Sequence, residues 1–189
     1  MRMVRTVLCA MFCVLFALPA AAGEGEEYIS PGFIYDMKIG AQLHDPPYMW
    51  SGFHKEPYGA DLNLEVSFSP WLHFLGGSIR PALGATINFA GYTSKAYLDS
   101  RWQWEFHHNW FFGIGLGAAY HNGNDESFVR DPDHKLLGRR VLFHDVIETG
   151  YRFDEHNSLS LFFEHISNAS TAHKNQGLDT VGLRYGYRF

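Results

Sequence analysis

The stretch Glu164 to Phe189, EHISNASTAHKNQGLDTVGLRYGYRF, carries two signals at once. After Asp179 every second residue is large and apolar or aromatic: Val181, Leu183, Tyr185, Tyr187, Phe189. Alternate side chains of a strand point to opposite faces, so these residues share one face. Just upstream, His165 and Ser167 fall on the parity of Leu159, Leu161 and Phe163, while Asp179 falls on that of Val181 and Leu183. If the two runs pair as a hairpin across Asn168–Gly177, an imidazole, a hydroxyl and a carboxylate meet on one apolar face. Cross-strand neighbours of that kind lie roughly 4.5–8 Å apart.

The same alternation recurs upstream. It runs over Phe33 to Leu43, Ala60 to Phe68, Gly77 to Phe89, Ala96 to Phe106, Trp110 to Tyr120, Arg140 to Phe153 and Ser158 to Ser167, with Asp179 to Phe189 closing the series. The spacing predicts eight strands, an even number, each near the roughly 9–11 residues that cross a bilayer at a tilt. Two positions disturb it. Asp145 breaks the apolar face of the sixth run, which suggests a bulge or change of register. Pro81 cannot donate to a ladder and points to a local bulge in the third.

A soluble β-sandwich also alternates, but it leaves unexplained why Asp, Glu, Lys and Arg recur on the second face of strand after strand. In a small membrane barrel the apolar face meets lipid and the polar face packs the interior. Closure then satisfies the backbone groups that lipid cannot. Glu65, Arg80, Arg101, Glu105, Glu148 and Arg184 predict a plugged, charge-paired lumen rather than a pore. Connections alternate too. Ser69–Gly76, His107–Asn109 and Asp154–Asn157 are short; Leu43–Gly59, Asn122–Gly138 and Asn168–Gly177 are long, with Ala90–Lys95 between. Short periplasmic turns and long outer loops are the outer-membrane pattern. Tyr28, Trp50, Trp71, Trp102, Trp104 and Trp110 suit interfacial aromatic girdles.

The N-terminus fits this class. Arg2 and Arg5, the apolar run Val7 to Leu18 and Pro19-Ala20-Ala21-Ala22 make a secretory leader over residues 1–22, leaving residues 23–189 as one barrel domain. The two cysteines, Cys9 and Cys13, lie inside that leader, so the exported chain uses no disulfide or thiolate chemistry. A formal charge of −5 argues against nucleic acid as a partner. No HExxH or other compact ligand spacing indicates a metal, and no glycine-rich phosphate loop indicates a nucleotide cofactor.

The chemistry of the terminal hairpin follows from its residue types. A serine hydroxyl is a weak nucleophile until a base takes its proton. Histidine can do so near neutral pH, and a carboxylate fixes its tautomer. An oxyanion would need donors. Backbone N–H groups after Ser167 and the amides of Asn168 or Asn175 are candidates. On a lipid-facing patch the substrate would be an ester carried by a lipid. The same three side chains would equally suit interfacial polar residues at headgroup level, and geometry separates the two.

His165-Ile166-Ser167-Asn168-Ala169, Gly177-Leu178-Asp179 and Gly182-Leu183-Arg184-Tyr185 together resemble the PagL family of lipid A 3-O-deacylases. Trp50-Ser51-Gly52-Phe53, Asp61-Leu62-Asn63-Leu64-Glu65 and Gly150-Tyr151-Arg152-Phe153 extend the resemblance more weakly over most of the chain. It implies an eight-stranded outer-membrane barrel that hydrolyses the 3-position acyl ester of lipid A, with His165 as base, Ser167 as nucleophile and Asp179 as the orienting acid. The best-known family pattern has Glu at the third position, so Asp179 must approach His165 by about one methylene more. Ser170 stands where Gly is often found, and Asn175 matches a family Asn. The C-terminal Phe189 resembles the signal read by the barrel assembly machinery. Alternatives are a non-enzymatic barrel acting in adhesion or membrane integrity, and an outer-membrane phospholipase or acyltransferase. Dimerisation over the active face is left open.

Overall fold

The computed structural model describes residues 32–52, 56–57, 59–129 and 131–189. The leader expected over residues 1–22, and Tyr28, lie outside them. Among the described residues nine strands form one antiparallel sheet: β1 (Ile34–His44), β2 (Ala60–Phe68), β3 (Leu72–Phe74), β4 (Gly77–Asn88), β5 (Lys95–Glu105), β6 (Trp110–His121), β7 (Val141–Arg152), β8 (Asn157–Ser167) and β9 (Leu178–Arg188). β9 pairs with β1, and β2 pairs with β4, so the eight long strands close on themselves. The expected eight-stranded barrel is the fold. The short β3 is an addition, a flap in the β2–β4 turn that pairs only with β4.

The two positions that disturbed the pattern need no bulge. β4 pairs with β2 as far as Ala82 and with β3 from Ile79 onward. Pro81 falls in the gap between these partners, while its register with Ser100 of β5 is unbroken. A residue without an N–H costs least where no ladder bond is due on one side. Asp145 is likewise in register on both sides, opposite Leu116 of β6 and His165 of β8. The irregularity lies elsewhere, between Ile34 and Asp36 of β1.

Alternation is realised as an apolar exterior and a charged interior. Ile39, Leu64, Leu83, Leu98, Ile147, Leu161 and Leu183 are all exposed on the outside. Inside, Glu65 binds Arg101 and, at 3.0 Å, Arg184; Glu148 binds Arg184 at 2.7 Å and Lys38 at 2.8 Å. Arg152 pairs with Glu105 at 2.9 Å, whereas Arg80 lies over the Tyr35 ring, 3.8 Å from its centroid. In such a lattice each acid is held by a neighbouring cation. Removing one partner of a buried pair costs about 3–5 kcal/mol.

Four connections leave the barrel at the end where β8 finishes: L1 (45–59), L2 (89–94), L3 (122–140) and L4 (168–177). The opposite end carries the turn of β3, the 3₁₀ turn His107–Asn109 and the turn 153–156. Ser167 is therefore at the rim that bears the long loops.

Candidate active site

The register of β8 against β9 sets His165 directly opposite Asp179. Both face outward, on the side of Leu161 and Leu183. His165 Nδ1 lies 2.6 Å from Asp179 Oδ1. An ionised carboxylate can only accept, so the imidazole proton belongs on Nδ1 and the Nε2 lone pair is left for another partner. The short arm of aspartate reaches because the pair is directly opposed rather than diagonal. Ser167 follows two residues on, with its side chain on the same face, where β8 ends. Among the described residues no hydrogen bond links Ser167 to His165.

An outward side chain near lipid would be expected to be exposed, yet Asp179 is fully buried. L1 covers it. The Met49–Gly52 turn folds down over the outer wall, closed by a Gly52 N–H bond to Met49 O at 3.2 Å. Within it, the Ser51 N–H donates to Asp179 Oδ2 at 2.6 Å, and Ser51 Oγ lies 3.4 Å from His165 Nδ1. The Trp50 ring packs against His165 and Phe163, with centroids 5.4 Å and 5.7 Å away. Gly177 makes room from below. A Cβ there would sit 2.7 Å from His165 Cε1 and 3.1 Å from Ser51 Oγ.

A second layer of polar contacts fixes L1. Lys135 of L3 donates to Asp45 Oδ1 and to Gly177 O, both at 2.8 Å. Glu56 accepts from Thr93 of L2, from the Lys135 N–H and from His44. Burial pushes the Asp45 carboxyl above its usual range, against the pull of Lys135. Burial pushes Glu56 the same way, but the hydrogen bonds from His44, Thr93 and Lys135 win and hold it below the ordinary value. L1 is thus bonded to L2 and L3, and through Lys135 to Gly177 of L4.

The two asparagines of the sequence pattern do different things. Both amide hydrogens of Asn168 are engaged, with Leu137 O at 2.9 Å and Lys174 O at 2.7 Å, tying L4 to L3. Exposed Asn175 accepts from the Ser170 N–H and donates to Ser170 Oγ, leaving its second amide hydrogen outside that pair. Ser170 has φ 62° and its neighbour Ala169 φ 49°. This left-handed turn is where glycine is most at ease.

A carboxylate–imidazole pair beside a serine on a lipid-facing wall has the residue types that could attack an ester carried by a membrane lipid. A family model for lipid A 3-O-deacylase (PagL) matches residues 35–188. The chain belongs to this family. It is 30% identical over 139 residues to the lipid A deacylase PagL of Bordetella bronchiseptica, covering 68% of this chain and 74% of that relative. The crystal structure of the outer membrane enzyme PagL superposes with a TM-score of 0.59 at 21% identity, over 82% of this chain and 99% of that one, and shares the fold. The protein is accordingly an outer-membrane hydrolase, a lipid A 3-O-deacylase.

Within this family frame, three neighbours of the histidine were missed by sequence reasoning. Trp50 and Ser51 approach from more than a hundred residues away, and their stretch resembles the family without marking them as neighbours of His165. Asp145, which breaks the apolar face of the sixth run, is the register neighbour of His165 on the side away from Asp179. The signal was present: an acid on a lipid face is costly, which is itself a pointer to function.

Proposed function

We propose that this deacylase works through a triad of Ser167, His165 and Asp179. The observation that carries it is the 2.6 Å bond between His165 Nδ1 and Asp179 Oδ1 on the outer face, two residues before Ser167. With Nδ1–H held by Asp179, Nε2 accepts the Ser167 proton as Oγ attacks the ester carbonyl at the 3-position of lipid A. The C–O bond to the sugar breaks, and the sugar oxygen takes the proton back from His165. Water, activated by the same Nε2, then cleaves the acyl-enzyme and releases a 3-hydroxy fatty acid. Asp179 stays charged throughout and stabilises the imidazolium.

Oxyanion donors are the backbone N–H groups that follow Ser167 and the second amide hydrogen of Asn175. The Asn168 side chain serves as a brace, since both of its amide hydrogens are spent on L3 and L4 carbonyls. Residues 1–22 are removed on export, and Phe189 is the residue read by the barrel assembly machinery.

The test is a lipid A mass spectrum from cells expressing the wild type or Ser167→Ala. Wild type should lower the lipid A mass by one 3-hydroxyacyl group, and Ser167→Ala should leave lipid A intact while still forming a folded barrel. Equal deacylation by both proteins would rule out Ser167 as the nucleophile.

A further inference from the structure

We propose that the Trp50–Ser51 turn of L1 is a working part of the triad, with the backbone N–H of Ser51 as the donor that fixes the orienting carboxylate. The inference rests on the triad described above and adds a positioning residue to it. Asp179 has two oxygens and one imidazole to serve. Oδ1 binds His165 at 2.6 Å, and Oδ2 is held by the Ser51 N–H, also at 2.6 Å. A carboxylate held at only one oxygen can rotate about its arm and trade one oxygen for the other. Held at both, it presents a single fixed acceptor to Nδ1.

Three independent features point the same way. Asp179 is fully buried although it lies on the outer wall of the barrel, and the group that covers it is this turn. Trp50 packs on the ring of His165 itself, so the turn limits the imidazole as well as the carboxylate. The turn is not loosely hung. Asp45 N–H donates to Asp179 O at 2.9 Å, and Lys135 ties Asp45 to the Gly177 carbonyl, two residues before the acid. A backbone donor is also the economical choice here. A charge-assisted N–H bond is roughly twice as strong as a neutral one, and a backbone group loses no side-chain freedom in making it.

The experiment removes one hydrogen. In the full-length protein, Ser51 is replaced by lactic acid through amide-to-ester substitution, which deletes the N–H, and compared with Ser51→Ala, which keeps it. Deacylation of purified lipid A in detergent micelles is measured for both, with wild type and Ser167→Ala alongside. The expected result is a fall of about ten-fold in kcat for the ester with KM unchanged, and a change below about three-fold for Ser51→Ala. Wild-type kcat in the ester variant overturns the proposal. So does a change confined to KM, which would make the turn a substrate contact. An equal loss in both variants would assign the effect to the hydroxyl and also overturn it.

Should the ester variant not fold, Lys135→Met undocks L1 through different atoms and should lower kcat while the barrel still forms; unchanged kcat there overturns the proposal. Activity in Ser167→Ala would instead defeat the triad, an outcome distinct from all of these.

Discussion

Two histidines sit on opposite faces of one wall, on neighbouring strands. His144 of β7 points inward, between Asp99 at 2.8 Å and Glu164 at 3.0 Å, and is fully buried with both ring nitrogens engaged. His165 of β8 points outward, with Asp179 on Nδ1 and its side chain 13% exposed. The ingredients are nearly the same. The difference lies in what is left over. A histidine clamped by two carboxylates has no lone pair to give and is part of the lattice that fills the lumen. A histidine clamped at Nδ1 alone retains a base at Nε2, on the face that lipid touches. Under the proposed triad, the two faces differ less in which residues are present than in which nitrogen is left open.

Replacing each histidine would break the comparison most sharply. His165→Ala should lower kcat by about 10⁴-fold or more with normal thermal stability. His144→Ala should do the reverse, costing about 3–5 kcal/mol in denaturant unfolding because Asp99 and Glu164 lose their shared partner, while activity per folded molecule stays within a few-fold. If His144→Ala were stable and inactive, the division between the two faces would fail.

Asp179→Asn comes next. An amide offers a donor to Nδ1 and favours the wrong tautomer, and a drop of about 10³–10⁴-fold in kcat is expected with little change in KM. Asp179→Glu, tested in the same assay, should retain far more activity than Asn, because the charge survives.

Gly177→Ala is a finer probe. Its Cβ would press on His165 Cε1, and displacement of a reacting group by even part of an ångström costs up to about 10²-fold. A loss of about ten- to a hundred-fold, with the barrel unaffected, is the expected outcome by the micelle assay.

The smallest effect concerns pH. Glu56 is held below its ordinary value of 4.5 in the folded loops. A group depressed in the folded state contributes stability that is present above the unfolded value and lost as pH falls through the folded one. Protection factors of the L1 amides, corrected for the intrinsic pH dependence of exchange, should therefore be level above about 4.5 and fall below it, while those of the strands hold.

What the sequence made legible, and what it hid, follows the same division. The eight long strands were readable because a lipid-facing wall imposes strict period-two alternation, and nearly every outward residue obeys it. The pairing of His165 with Asp179 was readable from parity and from the length of the hairpin. Asp145 was misjudged because an acid on the apolar face counts as an error under that same rule. Pro81 was misjudged because alternation says nothing about where β2 ends and β3 begins. Ser51 lies in a stretch that resembles the family, but nothing in it signals the contact with Asp179. Its contact is made by a backbone N–H, which every residue but proline owns, and it reaches Asp179 across most of the chain.

The seam where β9 meets β1 also has a meaning in time. His165, Ser167 and Asp179 belong to the last hairpin, whereas the turn that covers Asp179 hangs from the first. These two ends of the chain become neighbours only when the wall closes. Before that moment Asp179 has His165 opposite it in its own hairpin but lacks the Ser51 donor and its cover. The proposed triad is therefore completed across the barrel's own seam, by residues from both ends of the chain.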